Sequence, residues 1–92
     1  MTLRVAVQMD PIDRIKIAGD SSFALMLAGQ SRGYSLFEYD VESLSLDEDD
    51  RLHAHAFPVT VRRVEGDHFT RGELRRLDLG KDVDVVLMRQ DP

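Results

Sequence analysis

The chain predicts an α/β domain built on a strand–helix–strand crossover, with a β-hairpin arm ahead of a last parallel strand. Three observations predict it. Leu3 to Gln8 is rich in β-branched residues, with Leu3, Val5 and Val7 on one face and Ala6 on the other. Asp20-Ser21-Ser22 precedes an apolar run in which Phe23, Met26, Leu27 and Gln30 recur at helical spacing. Val83 to Met88 is almost wholly apolar, the composition of a central strand in a parallel sheet.

In order, Pro11 ends the first strand, and Ile12 to Gly19 is a loop with Ile15 and Ile17 alternating. Gly19 permits a bend, and Asp20 or Ser21 caps the helix. Arg32 suits the last helical turn and Gly33 the residue after it. Tyr34 to Tyr39 is the second strand, with Leu36 and Glu38 on one face and Phe37 and Tyr39 on the other. Strands joined this way are parallel, through a right-handed crossover.

Val41 to Leu46 fits a helical turn followed by a short strand, and Asp47 to Asp50 an acidic, solvated hairpin tip. A calcium loop there lacks the alternating ligands, the central Gly and the terminal Glu. Arg51 to Val64 alternates enough for a hairpin arm, with Pro58 marking an edge or a bulge. Glu65-Gly66-Asp67 is a turn. Arg71 to Leu77 is expected to be a short basic helix with Thr70 as its N-cap.

Ninety-two residues make one small domain. A net charge of −5 argues against nucleic acid and anionic membrane as partners. The absence of cysteine excludes disulfides and thiolate chemistry and fits a cytoplasmic protein. No stretch approaches the roughly 18 apolar residues of a membrane span. Thr2-Leu3-Arg4-Val5 runs straight into a strand pattern rather than a signal peptide. The stop after a strong strand suggests the front piece of something longer.

Ligands of open α/β sheets sit at the carboxyl ends of the strands. Two Asp-Pro turns, Asp10-Pro11 and Asp91-Pro92, follow the strands expected to be parallel neighbours, so both open on that edge. Asp10, Arg89 and Asp91 are expected close in space. Arg89 either clamps a carboxylate or pairs with one of the two aspartates. Ser21 and Ser22 either cap the helix or lend its N-terminus to an anion. Neither a Gly-x-Gly-x-x-Gly sequence, a P-loop nor a Gly-x-Ser-x-Gly elbow is present. His53 and His55 share a strand face but have no carboxylate or cysteine at ligand spacing, so no metal site is expected.

Met9-Asp10-Pro11-Ile12, Asp20-Ser21-Ser22-Phe23-Ala24, Arg32-Gly33-Tyr34, His53-Ala54-His55 and Val85-Val86-Leu87-Met88-Arg89-x-Asp91-Pro92 occur in that order. Together they resemble the amino-terminal domain of bacterial glutathione synthetase, over essentially the whole chain. The match is loose over Glu38 to Asp50 and Arg62 to Lys81. The resemblance implies a Rossmann-like (pre-ATP-grasp) three-layer domain with a mainly parallel sheet. It also implies a ligase that joins γ-glutamylcysteine to glycine through an acyl phosphate, using ATP and Mg2+ bound by ATP-grasp domains outside this segment. The segment then forms one wall of the substrate cleft and is not catalytic alone. By resemblance, Asp10, Ser21, Ser22, Phe23, Arg89 and Asp91 are its substrate-side residues. Ser21 and Ser22 would recognise an anion or close the peptide site, Arg89 would position a carboxylate, and the two aspartates would orient Arg89 and the loops. Such ligases are commonly homo-oligomers. The alternative is a stand-alone flavodoxin-like small-ligand module, or an oligomerisation module using the hairpin Leu44 to Val64. A receiver is disfavoured, since Asp10 is alone after the first strand and the Val83 strand ends in Met88-Arg89.

Overall fold

The contiguous apolar run Val5-Ala6-Val7 buries both faces of β1 (Arg4–Gln8), which lies between two neighbouring strands. The computed structural model describes residues 3–16 and 19–89. Ile17 and the second Asp-Pro turn lie outside the described residues. A 3-10 turn, Ile12–Arg14, leads to α1 (Ser21–Ser31), and β2 (Ser35–Tyr39) follows. A second 3-10 turn, Val41–Ser43, precedes β3 (Ser45–Leu46), β4 (Leu52–Val61), β5 (Phe69–Arg71), β6 (Arg75–Asp78) and β7 (Val85–Met88).

The strand–helix–strand unit forms with β1 and β2 parallel, as expected. Asp20 is the N-cap of α1: its Oδ1 accepts from Phe23 N at 2.8 Å, satisfying one of the unpaired N–H groups of the first turn. Gly33, just past the helix, has φ of +83°, a conformation that a side chain would strain. The chain then enters β2 parallel to β1, with Val5 opposite Leu36 and Val7 opposite Glu38. Strand β7 lies parallel on the other side of β1, with Val5 opposite Val85.

The sheet as a whole is not mainly parallel. Among the described residues its order is β3-β4-β2-β1-β7, with β5 and β6 also paired to β4. Only the two ladders of β1 are parallel; the four made by β4 are antiparallel. The expected three layers are not found either, since α1 is the one α-helix among the described residues. It covers one face, where Phe23 and Met26 pack on Val5, Val7, Leu36, Val59 and Val61. On the other face the curled sheet closes on itself, burying Phe37 and Tyr39 with Ala54, Ala56, Leu77 and Val83.

Two local expectations are corrected. The basic helix over Arg71 to Leu77 is absent: Thr70 and Arg71 belong to β5, and Arg75–Asp78 is β6. The ten-residue β4 offers a row of backbone groups, and β6 satisfies them, with Leu77 buried opposite Ala54. Strand β7 ends the order of described strands instead of standing centrally. Its sequence is apolar because its two faces meet two clusters, Leu87 on the α1 side and Val86 on the other.

Pro58 stands inside β4, where its β6 partners (His53 to Ala56) give way to its β5 partners (Val59 to Val61). A residue without an N–H is tolerated at such a break. Its carbonyl accepts from Gly72 N at 2.7 Å, and a Cβ on Gly72 would meet the Pro58 ring at 2.7 Å.

Candidate functional site

The carboxyl ends of β1, β2 and β7 meet at one edge and stay joined to their last residues. Met9 N donates to Tyr39 O at 3.0 Å, and Arg89 N donates to Gln8 O at 2.8 Å. Beyond these bonds the chain opens into a cleft of about 600 Å³, lined chiefly by Asp10, Pro11, Arg14, Asp20, Asp40 and Glu42. Asp20 arrives there as the helix cap, and Asp40 as the cap of the turn after β2, accepting from Glu42 N at 2.9 Å. Four carboxylates with one guanidinium give the cleft a negative field, suited to an ammonium group. Beside it stand the N-terminus of α1 and Arg89, both suited to a carboxylate.

Arg89 and Ser21 are brought together: Arg89 Nη2 donates to Ser21 Oγ. Asp10 lines the cleft, and Asp91 lies outside the described residues. Ser22 is buried, and Phe23, 0% exposed, stands edge-on to His68 with ring centroids 5.7 Å apart. The Phe23 ring thus packs the core and has no surface to offer a ligand, because the helical repeat turns it under the sheet-facing side of α1.

Sequence reasoning missed the group beneath the Asp10 turn. Glu38, 2% exposed, accepts from Ile12 N at 3.1 Å through Oε2 and from Arg71 Nε through Oε1. Arg71 also donates to Asp13 Oδ1 at 3.4 Å, with its guanidinium 4.7 Å above the Phe57 ring and 5.2 Å from that of Phe69. Burial opposes the Arg71 charge, but Glu38 and Asp13 outweigh it and raise its pKa above the ordinary value. His68 Nε2 donates to Ile12 O at 2.7 Å. The signal available in the sequence was a carboxylate, Glu38, on the same strand face as Leu36.

The histidines do not converge. His53 pairs with Asp47 at 2.6 Å, His55 lines a separate cavity, and His68 lies under Ile12. Among the described residues no three His, Cys, Asp or Glu side chains are placed to hold a metal ion. No helix among them is long and apolar enough to cross a membrane.

Two parallel strands flanking β1, with turns and a capped helix start gathered at their carboxyl edge, define a lobe of the α/β class with a cleft at that edge. Comparison with known families makes this specific. The chain belongs to the family "Prokaryotic glutathione synthetase, N-terminal domain", whose model matches residues 3–92. It is 53% identical over 92 residues to a glutathione synthetase of Rhodopseudomonas palustris and 53% identical to one of Bradyrhizobium diazoefficiens. It is 49% identical to that of Brucella melitensis. Each alignment covers 100% of this chain and 29% of the relative, so the chain spans less than a third of the length of these curated relatives.

Proposed function

We propose that this segment is the substrate-side amino-terminal lobe of an ATP-grasp ligase that joins γ-glutamylcysteine to glycine with hydrolysis of ATP to ADP and phosphate. The observation that carries the reading is Arg89 at the start of α1, beside the carboxylate-lined cleft. The γ-glutamyl end of the dipeptide bears an ammonium and a carboxylate on one carbon. The acidic cleft suits the first, and Arg89 with the helix start suits the second. Asp10 and Asp91 orient the loops and Arg89. Ser21 holds the guanidinium until substrate replaces it.

The described residues offer no trio of metal ligands, and the sequence has no phosphate-cradling glycine loop. On this reading Mg2+ and ATP are held by the remainder of the ligase, and this lobe binds and orients substrate. The enzyme is assigned to the cytoplasm and to a homo-oligomer.

The test is Arg89→Ala in the full-length ligase that carries this segment. The KM for γ-glutamylcysteine is expected to rise about tenfold, with the KM for ATP unchanged, as befits a lost charge-assisted contact to one substrate. An unchanged dipeptide KM would remove Arg89 from the site.

A further inference from the structure

The two residues Asp10 and Pro11 stand between two anchored points. Before them, buried Met9 is tied by its N–H to Tyr39 O. After them, both backbone polar groups of Ile12 are held by buried side chains: the N–H by Glu38 from β2, and the carbonyl by His68, which precedes β5. The turn closes on itself through Arg14 N to Pro11 O at 2.9 Å. Arg71, from β5, completes the set by joining Glu38 to Asp13 on the far side of the turn.

A leucine at position 38 would pack the face shared with Leu36 as well as a glutamate does. A buried carboxylate is a poor way to gain stability, since desolvation offsets much of the attraction to its partner. What the carboxylate adds is direction: its two oxygens fix the Ile12 amide and the Arg71 guanidinium at once. The Phe57 and Phe69 rings under Arg71 restrict the guanidinium to that plane.

We infer that Glu38, Arg71 and His68 are positioning residues that hold the Met9–Arg14 turn, and with it Asp10, in the geometry presented to the amino-bearing end of the substrate. None of the three needs to touch substrate. The inference rests on the proposed function for the identity of that substrate, but the clamp on Ile12 can be measured without it.

The experiment uses the full-length ligase that carries this segment. Replacing both partners together, Glu38→Leu with Arg71→Met, removes the charges without leaving either one buried alone, so the fold should persist. Hydrogen exchange in the peptide spanning residues 9–14 is expected to accelerate about tenfold, while β1 and β2 keep their protection. The KM for γ-glutamylcysteine is expected to rise about tenfold with kcat within about twofold of the parent, the pattern of weakened substrate placement. Arg71→Lys, which keeps the charge but not the fork, is expected to give about a threefold rise; it decides the matter should the double variant not fold. A parental KM in the folded variant, or unchanged exchange over 9–14, would overturn the inference. If the parent ligase does not turn over γ-glutamylcysteine, the proposed function fails, and exchange over residues 9–14 alone decides whether the clamp exists.

Discussion

Asp47 organises the tip between β3 and β4 with one carboxylate. Its Oδ1 accepts from Asp49 N at 2.9 Å and Arg51 N at 3.0 Å, and its Oδ2 meets His53 Nε2 at 2.6 Å. The backbone bond from Arg51, then the His53 side chain, lowers its pKa from 3.8 to about 2. A depressed carboxylate stabilises the fold fully above its unfolded value and loses that contribution as pH falls through the folded one. The hairpin should therefore be intact at pH 5 and loosen as pH drops from about 4 to about 2. A carboxyl-carbon NMR titration checks this, with a midpoint near 2 expected for Asp47; a midpoint near 3.8 would show that the turn does not hold the charge. Asp47→Asn should flatten the dependence of stability on pH over that interval. At this scale the sequence is legible where partners are local. A cap at Asp20 or Ser21 follows from the apolar run beside them, and the Asp20 carboxylate fills that place. The role of Glu38 does not, because Ile12 is 26 residues away and Arg71 is 33.

Among the elements, β1, α1 and β2 are legible because each carries its own period and its own end signals, from Asp20 to Gly33. The segment after Gly66 is not. Arg71, Leu74 and Leu77 fall three apart and imitate a helical face, yet the strands that hold Arg71 and Leu77 pair with β4, opposite Val59 and Ala54. Gln30 has a comparable long-range use: its side-chain amide accepts from Val61 N at 2.7 Å and donates to Val61 O at 2.6 Å, tying α1 to the end of β4. The joint that lets β4 change partners is Pro58 against Gly72. Gly72→Ala should cost about 1–3 kcal/mol, the usual range for forcing atoms into a filled space. Urea unfolding checks this, and an unchanged midpoint would mean that the joint is loose. Pro58 was legible as an irregularity in an alternating strand; that Gly72 seats against it was not, since only the fold brings the two together.

On the scale of the whole molecule, the α1 face of the sheet is only partly covered. An apolar groove of about 320 Å³ runs between α1 and the β1–β7 pair, lined by Leu3, Val5, Leu25, Tyr34, Val85 and Leu87. Leu25 is 46% exposed and, at the end of the sheet, Met88 is 72% exposed. Exposed apolar surface beside an edge strand favours association. The 92-residue chain should therefore sediment with a concentration-dependent increase in mass, and Val85→Lys should suppress it. Sedimentation velocity over a hundredfold range of concentration is the check; a constant monomer mass for the parent chain would show that the groove is inert. The apolar composition of Val83 to Met88 was legible, but its place at the end of the strand order was not, because an apolar strand reads alike at either position.

The register of β7 also sets an order of events. Val5 meets Val85, and Ser21 receives Arg89 from 68 residues further along. Closing so long a loop is slow compared with forming a local crossover. During synthesis, β1, α1 and β2 can assemble while β7 has yet to leave the ribosome. The helix start then exists before its arginine, and this edge of the sheet is completed only when β7 arrives.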